Sequence, residues 1–385
     1  MPDDQPNSAA SSAGDLSASD LDALRENMRT AFESWAPMSA TQAHMEDGGD
    51  GWNVELWQRL CSDLGVSTLP LAHEYGGYGA RARGAILEAA GRVLYSGPVA
   101  SSAFAAGVLE IFRDPDISSS WLPRLAAGEV TATLCVAESD LALDSANVRT
   151  LASGPTGRVA VTGTKTAVVD GSTADLLLVT AVDTEGRQCL VAVESRQDGV
   201  VARSTPVLDL TRRLADVTFE QARGRVVRAE GGFAPAWQAS MALVAAGSAI
   251  EAAGSARAAV DMTVDYAKQR VQFGREIGTF QAVRHRLADL HAQVEVATAA
   301  ARAAHVTTDW YSTEAQVTAF AAKSLCADTF VTVAEGALQL HGGIGFTWEH
   351  PTHLFLKRAK SSELLYGTPA HWRVQLGDLL AGKVA

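Results

Sequence analysis

The chain is 385 residues long, 47% hydrophobic and 20% charged, with a formal net charge of −12. Length and apolar content suit a globular protein of two or three domains with a sizeable core. The acidic balance excludes a nucleic-acid surface, which needs a basic footprint, but not a nucleotide cofactor or CoA ester held by a few local arginines. Cys61, Cys135, Cys189 and Cys326 are scattered without CxxC or metal-ligand spacing, so reduced structural thiols in a cytoplasmic protein are expected, and no metal.

Residues 1–16 are acidic and rich in small side chains, with no basic segment before an apolar run; they read as a disordered lead-in, not a signal peptide. From 17 to 128 the pattern is helical. Leu21, Leu24, Met28 and Phe32 recur every three or four residues, Ser17 or Ser19 is placed to cap that helix, and Asp20 suits the positive end of its dipole. A Gly-rich loop follows at 70–80 (PLAHEYGGYGA), then a helical run over 86–106 broken by Gly97-Pro98.

From 129 to 231 the period changes. Runs rich in Val, Leu and Thr at 131–136, 159–169, 176–182, 189–193 and 217–219 predict an antiparallel, barrel-like β-domain. From 232 to 385 the sequence is rich in Ala, Leu and Val. No proline occurs between Pro235 and Pro351, which suits long packed helices because an internal proline costs about 3 kcal/mol. Breaks are expected near 274–278, 307–313 and 342–345. The uncharged run 233–250 raises the question of a membrane span, but it contains Gln238 and Ser240 and leads into Glu251, so a buried bundle helix is expected. The fold class is therefore α+β: an N-terminal helical domain, a central antiparallel β-domain and a C-terminal four-helix bundle.

Three motifs narrow the chemistry. The first is Glu74-Tyr75-Gly76-Gly77. The second is Arg270, Phe273, Gly274, Ile277, Gly278 and Gln281, spaced RxxFGxxIGxxQ. The third is Gln339, Gly342, Gly343 and Gly345, spaced QxxGGxG. Arg270 offers a rigid fork of donors suited to a pyrophosphate, and Gly342 and Gly343 allow backbone to approach a ligand closely. Together with the three-zone layout, these motifs resemble the acyl-CoA dehydrogenases from about residue 17 onward. The resemblance implies FAD, an acyl-CoA substrate, and removal of an α-proton by a carboxylate as a β-hydride passes to the flavin. It also implies electron-transfer flavoprotein as a possible acceptor of the electrons. Arg270, Phe273, Gln281, Gln339, Gly342 and Gly343 would be the FAD-binding residues.

The chain departs from the family's pattern where chemistry would occur. In the YEGT-like segment that usually supplies the base, Tyr366 stands in the glutamate's place before Gly367-Thr368. Glu363 lies three residues back. The other family position for a base falls on Val244, with Glu251 two turns further on. The TEPxxGSD-like segment keeps Glu138 but has Ser139 to Ser145 without the threonine or the Pro-Gly loop. The GxKxWITN-like strand keeps Gly163 and Lys165 but has Ala167 for the tryptophan and Val169 for the threonine. In this family's dimers one FAD is shared between two subunits. The chain keeps the residues that would be donated across the interface and has lost those of its own flavin site. This resembles the base-less subunit of α2β2 heterotetramers acting on steroid-derived or other bulky acyl-CoA esters. The expected role is that subunit, completing the FAD site of a homologous catalytic partner. Two alternatives remain open: a self-sufficient homo-oligomer using Glu363 or Glu251, and a non-catalytic CoA-ester-binding or scaffold protein.

Overall fold

In the computed structural model, which describes residues 16–46, 52–138, 148–155, 157–307 and 309–382, the first element starts at Ser17. Its Oγ accepts the Asp20 N–H at 3.2 Å and opens α1 (Ala18–Trp35), which buries Leu21, Met28 and Phe32. Of the lead-in expected over 1–16, only Leu16 falls within the described residues. There follow α2 (Met38–Glu46), α3 (Val54–Leu64), α4 (Gly79–Arg92), α5 (Val99–Phe112) and α6 (Pro115–Ala126). The break expected at Gly97-Pro98 separates α4 from α5. Asp114 caps α6, its carboxylate accepting the Asp116 and Ile117 N–H groups, and Pro115 takes the first helical position, where a missing N–H costs nothing.

The central sheet comprises β1 (Ala132–Cys135), β2 (Leu151–Ser153), β3 (Val159–Val169), β4 (Leu176–Val182), β5 (Gln188–Glu194), β6 (Val200–Ser204) and β7 (Leu214–Val227). Strands β4, β2, β3, β7 and β5 form a ring that returns to β4, with β1 beside β4 and β6 beside β7. The sheet is mixed rather than wholly antiparallel: β1 runs parallel to β4, and β2 meets β4 in parallel at Leu151 and Val182. Both pairs join strands separated by other strands in the sequence, whereas the turn-linked neighbours β4 and β5 are antiparallel. Two strands were not expected. β2 has three residues, and β6 exposes nearly every side chain, so neither carries a readable apolar pattern. β7 is far longer than its apolar 217–219 because its outward positions are polar.

The C-terminal part begins with α7 (Phe233–Gln269), whose uncharged first half is buried inside the bundle; its hydropathy comes from a core helix. A small hairpin, β8 (Val271–Gln272) and β9 (Arg275–Glu276), leads to α8 (Gln281–Ala303), α9 (Thr313–His341), α10 (Thr352–Leu364) and α11 (Pro369–Leu380). Among the described residues the bundle thus has five helices rather than four, α9 touching the other four. All four cysteines are free, and burial pushes the Cys61 thiol to about 11 and the Cys135 and Cys326 thiols to about 12, which leaves them unreactive.

The crossing of α4 over α7 positions the interior site. A Cβ on Gly91 would lie 2.2 Å from Glu251 O, and one on Gly254 would lie 2.2 Å from Glu88 O. Ser255 Oγ donates to Gly91 O at 2.8 Å across the same contact. Two glycines facing two backbone carbonyls let the helices approach closely enough for Glu251 to enter the interior. Gly254→Ala is expected to destabilise the protein by about 1–3 kcal/mol through overpacking, measured by urea denaturation. A wild-type midpoint would show that the crossing relaxes freely.

Candidate cofactor rim and the filled interior site

The Glu74-Tyr75-Gly76-Gly77 motif lies on the N-terminal side of the molecule; the other motif residues fall in two regions, one at the surface and one inside. At the surface, α7 ends at Gln269 and Arg270 turns the chain outward (φ −73°, ψ 119°), its carbonyl accepting the Ile277 N–H at 2.8 Å. The hairpin tip, Phe273-Gly274, has positive φ at both residues (53° and 77°), the backbone that a two-residue hairpin turn demands. Phe273 is 93% exposed, touching Phe280 edge-on, and Gln281 begins α8.

The end of α9 is tied to this corner. Tyr266, one turn before Arg270, stacks on His341 with ring centroids 4.3 Å apart, and His350 approaches both rings. Gly342 follows at φ 61° and Gly343 after it. Neither would bring an added Cβ within 4 Å of other atoms, so both face open space. Arg270, Phe273, Gln281, Gln339, Gly342 and Gly343 are all exposed. The Arg270 guanidinium makes no hydrogen bond or ion pair among the described residues. The fold therefore gathers both motifs at one end of the bundle and leaves their polar groups available to something outside the chain. The stack of Tyr266, His341 and His350 that joins the two ends was not foreseen; its only sequence signal is aromatic residues next to the two motifs.

The interior region is different. Arg358, 1% exposed, donates to Thr211 Oγ1 (2.6 Å), Thr211 O (2.7 Å), Leu94 O (3.2 Å) and Glu251 Oε1 (3.1 Å). Arg212 donates to Glu251 Oε2 at 2.7 Å, and Asp209 lies 3.3 Å from Arg358 Nε. Burial pushes the Glu251 carboxyl up, but Arg212 and Arg358 outweigh it and hold the group below its usual range. A carboxylate held between two arginines is a poor proton acceptor, and this geometry suits Glu251 to anchoring the two cations.

Tyr366 sits at φ 56°, with its carbonyl accepting Trp372 Nε1 at 2.9 Å and its ring edge-on to Phe104. Burial raises its phenol above the ordinary value, which favours the neutral form. Glu363 is half-exposed and pairs with Lys360 at 3.7 Å on α10. Val244 is fully buried.

The β-domain half of the site is also engaged. Glu138 accepts from the Arg149 and Thr150 N–H groups and from the wholly buried Lys165 (2.8 Å), which also reaches Val136 O and Thr180 Oγ1. These two motif residues therefore pin the strands together. Residues 139–147 lie outside the described residues, so the Ser139 to Ser145 segment has no structural account. Ala167 takes φ 51° at a bulge between Lys165 and Val168, and Asp170 is paired with Arg213 and Ser101. Between Val169, Asp170, Tyr95, Arg212 and Glu251 only about 20 Å³ of space remains. A small-molecule site usually needs about 300–1,000 Å³.

The acyl-CoA dehydrogenase C-terminal domain matches residues 230–378, and the N-terminal domain of the same family matches residues 19–129. The chain is 32% identical over 349 residues to acyl-CoA dehydrogenase IpdE2 of Mycolicibacterium smegmatis, covering 90% of this chain and 94% of that protein. It therefore belongs to the acyl-CoA dehydrogenase family. Among solved structures, the ChsE4-ChsE5 complex from Mycobacterium tuberculosis superposes with a TM-score of 0.84 at 25% identity, covering 95% of this chain and 98% of that one. A Tcur3481-Tcur3483 steroid ACAD variant shares the fold at a TM-score of 0.83 and 24% identity, with the same coverage. Within the family, the resemblance is thus to IpdE2 and to a chain of a two-component complex.

Two measurements probe the interior. Glu251→Gln leaves two buried arginines without their carboxylate and is expected to cost about 3–5 kcal/mol, read from the urea midpoint. Lys323, buried with its Nζ on Ser362 O at 2.7 Å, is lowered by burial to about 8 from its ordinary 10.5. Below about 8 it is charged in both states, and the cost of burying that charge is fully present; between about 8 and 10.5 the folded state gives up its proton first and the cost fades. Lys323→Met is expected to raise the melting temperature near neutral pH, by a margin that shrinks toward about pH 10. A margin independent of pH would assign the gain to packing instead.

Proposed function

We propose that this chain is the non-catalytic subunit of a flavin-dependent acyl-CoA dehydrogenase complex that introduces a Cα–Cβ double bond into an acyl-CoA ester. The observation that carries this reading is an asymmetry. The residues suited to a neighbour's cofactor are exposed, while the usual base position carries Tyr366 and the buried Glu251 is tied to Arg212 and Arg358. Arg270 is suited to the FAD pyrophosphate, and the backbone at Gly342 and Gly343, with Gln339 beside it, is suited to the adenine end. Phe273 and Gln281 border the same rim. Bound FAD would supply the oxidant, accepting a hydride from the acyl β-carbon as a base on the partner takes the α-proton.

This chain's contribution is binding and orientation: it completes the cofactor cradle and holds no base. A homologous catalytic subunit is the partner, electron-transfer flavoprotein is a candidate acceptor, and the cytoplasm is the proposed location. A steroid-derived acyl group is the proposed substrate class, supported by the fold shared with a steroid ACAD and by the resemblance to members of two-component systems.

The test counts FAD in the chain purified alone and again after co-expression with a candidate catalytic subunit. No FAD in the solitary chain and one per pair of unlike chains is expected. Arg270→Ala, made only in this chain, should weaken FAD retention by the complex about 10–100-fold, the worth of a charge-assisted hydrogen bond. One FAD per solitary chain would favour a self-sufficient dehydrogenase, and an Arg270→Ala complex with undiminished FAD would leave a scaffold.

A further inference from the structure

On the N-terminal side, away from both regions above, lies a cleft of about 810 Å³. Its walls are the Gly-rich loop after Ala72, α4, α5, α6 and the connection between α8 and α9. The loop is rigid. Gly77 packs so tightly that an added Cβ would lie 2.1 Å from Leu71 O, and the Tyr78 and Gly79 N–H groups donate to Leu69 O and Leu71 O. The remaining walls mix apolar side chains, among them Ile111, Leu122, Leu243 and Trp310, with polar and charged ones, including Arg81, which donates to Leu16 O at 3.3 Å.

Arg83, 2% exposed, also lines the cleft. Gly107 makes room for its guanidinium, since a Cβ there would come within 3.3 Å of Nη2. Nη2 donates to Pro70 O at 2.7 Å and reaches Glu110 at 3.4 Å, while Nε is buried without an acceptor. A guanidinium has five donors, and burying one so sparsely satisfied is costly unless another acceptor arrives. Arg113, at the left-handed end of α5 (φ 58°), stands exposed at the same cleft, its guanidinium making no hydrogen bond or ion pair among the described residues. Three carboxylates share the lining. Glu110 is engaged by Arg83 and by the Ala72 N–H, Asp309 accepts the Tyr311 N–H at 2.9 Å, and Glu74 stands exposed.

We propose that this cleft is a binding site for an amphipathic organic anion, its carboxylate held by Arg83 and Arg113 and its apolar body laid against Ile111, Leu122, Leu243 and Trp310. The site is separate from the cofactor rim and does not depend on the role proposed for that rim. A volume of about 810 Å³ falls within the range of small-molecule sites, and the lining combines apolar side chains with charged ones that can orient a ligand. No carboxyl-transfer or redox chemistry is implied; the site binds.

The test uses isothermal titration of the full-length chain with dodecanoate below its micelle concentration, and with dodecan-1-ol as the uncharged counterpart. The expected result is one saturable dodecanoate site per chain, with the alcohol at least about tenfold weaker. Arg113→Gln removes the exposed cation, and Ser119→Trp, on the exposed face of α6 at the cleft, obstructs entry. Each should weaken dodecanoate at least about tenfold while the circular-dichroism melt stays as in wild type. Arg83→Met should abolish the preference for the acid over the alcohol, and its melt shows whether it has folded. Equal binding of acid and alcohol, wild-type affinity in both Arg113→Gln and Ser119→Trp, or no saturable binding of dodecanoate would each overturn the proposal.

Discussion

A single carboxylate clamped between two arginines organises the middle of this molecule. Glu251 reaches Arg212 at the approach to β7 and Arg358 on α10, so one side chain of α7 ties the sheet to the last third of the chain. Charges this deeply buried are tolerated only when each finds partners, and Arg358 uses Thr211 and Leu94 O as well as Glu251. The Gly91–Gly254 crossing is the condition for that arrangement, because bulkier residues there would hold α7 away from α4. Packing at the helix crossing and electrostatics in the interior are therefore one constraint.

The same constraint separates structural from chemical use of the family's scaffold. Between the sheet and the bundle, Arg212 and Arg358 engage Glu251, and the Tyr366 ring lies edge-on to Phe104. Glu138 and Lys165 persist from the family's pattern but hold strands to one another. The far end of the bundle is different. Its arginine and glycines point outward, and the Tyr266–His341 stack fixes the two helix ends that present them.

Much of this was legible in the sequence, for identifiable reasons. Strands β3 and β4 were bounded correctly because runs rich in Val, Leu and Thr end at turn residues, and the long helices announced themselves by the lack of proline. β2 and β6 escaped because a three-residue strand and an exposed edge strand carry no apolar alternation. The rim motifs could be read because their glycines and arginine sit close together in sequence. The interior network could not: Asp209, Glu251 and Arg358 lie far apart along the chain, and nothing local to Glu251 marks it as an ion-pair partner rather than a base. The cleft over Arg83 was invisible for the same reason, since Arg83 and Glu110 meet only when α4 and α5 pack.

The hairpin tip has a consequence for the life of the chain in a cell. Phe273 stands 93% exposed, Phe346 is also largely uncovered near the end of α9, and Trp348 is half-exposed beside it. Aromatic surface of this kind is adhesive in water. In the proposed assembly, a surplus of this subunit over its partner would display those tips to every other exposed apolar surface. Balanced synthesis of the two chains, or rapid disposal of the unpaired one, then becomes a requirement imposed by these protruding aromatic side chains.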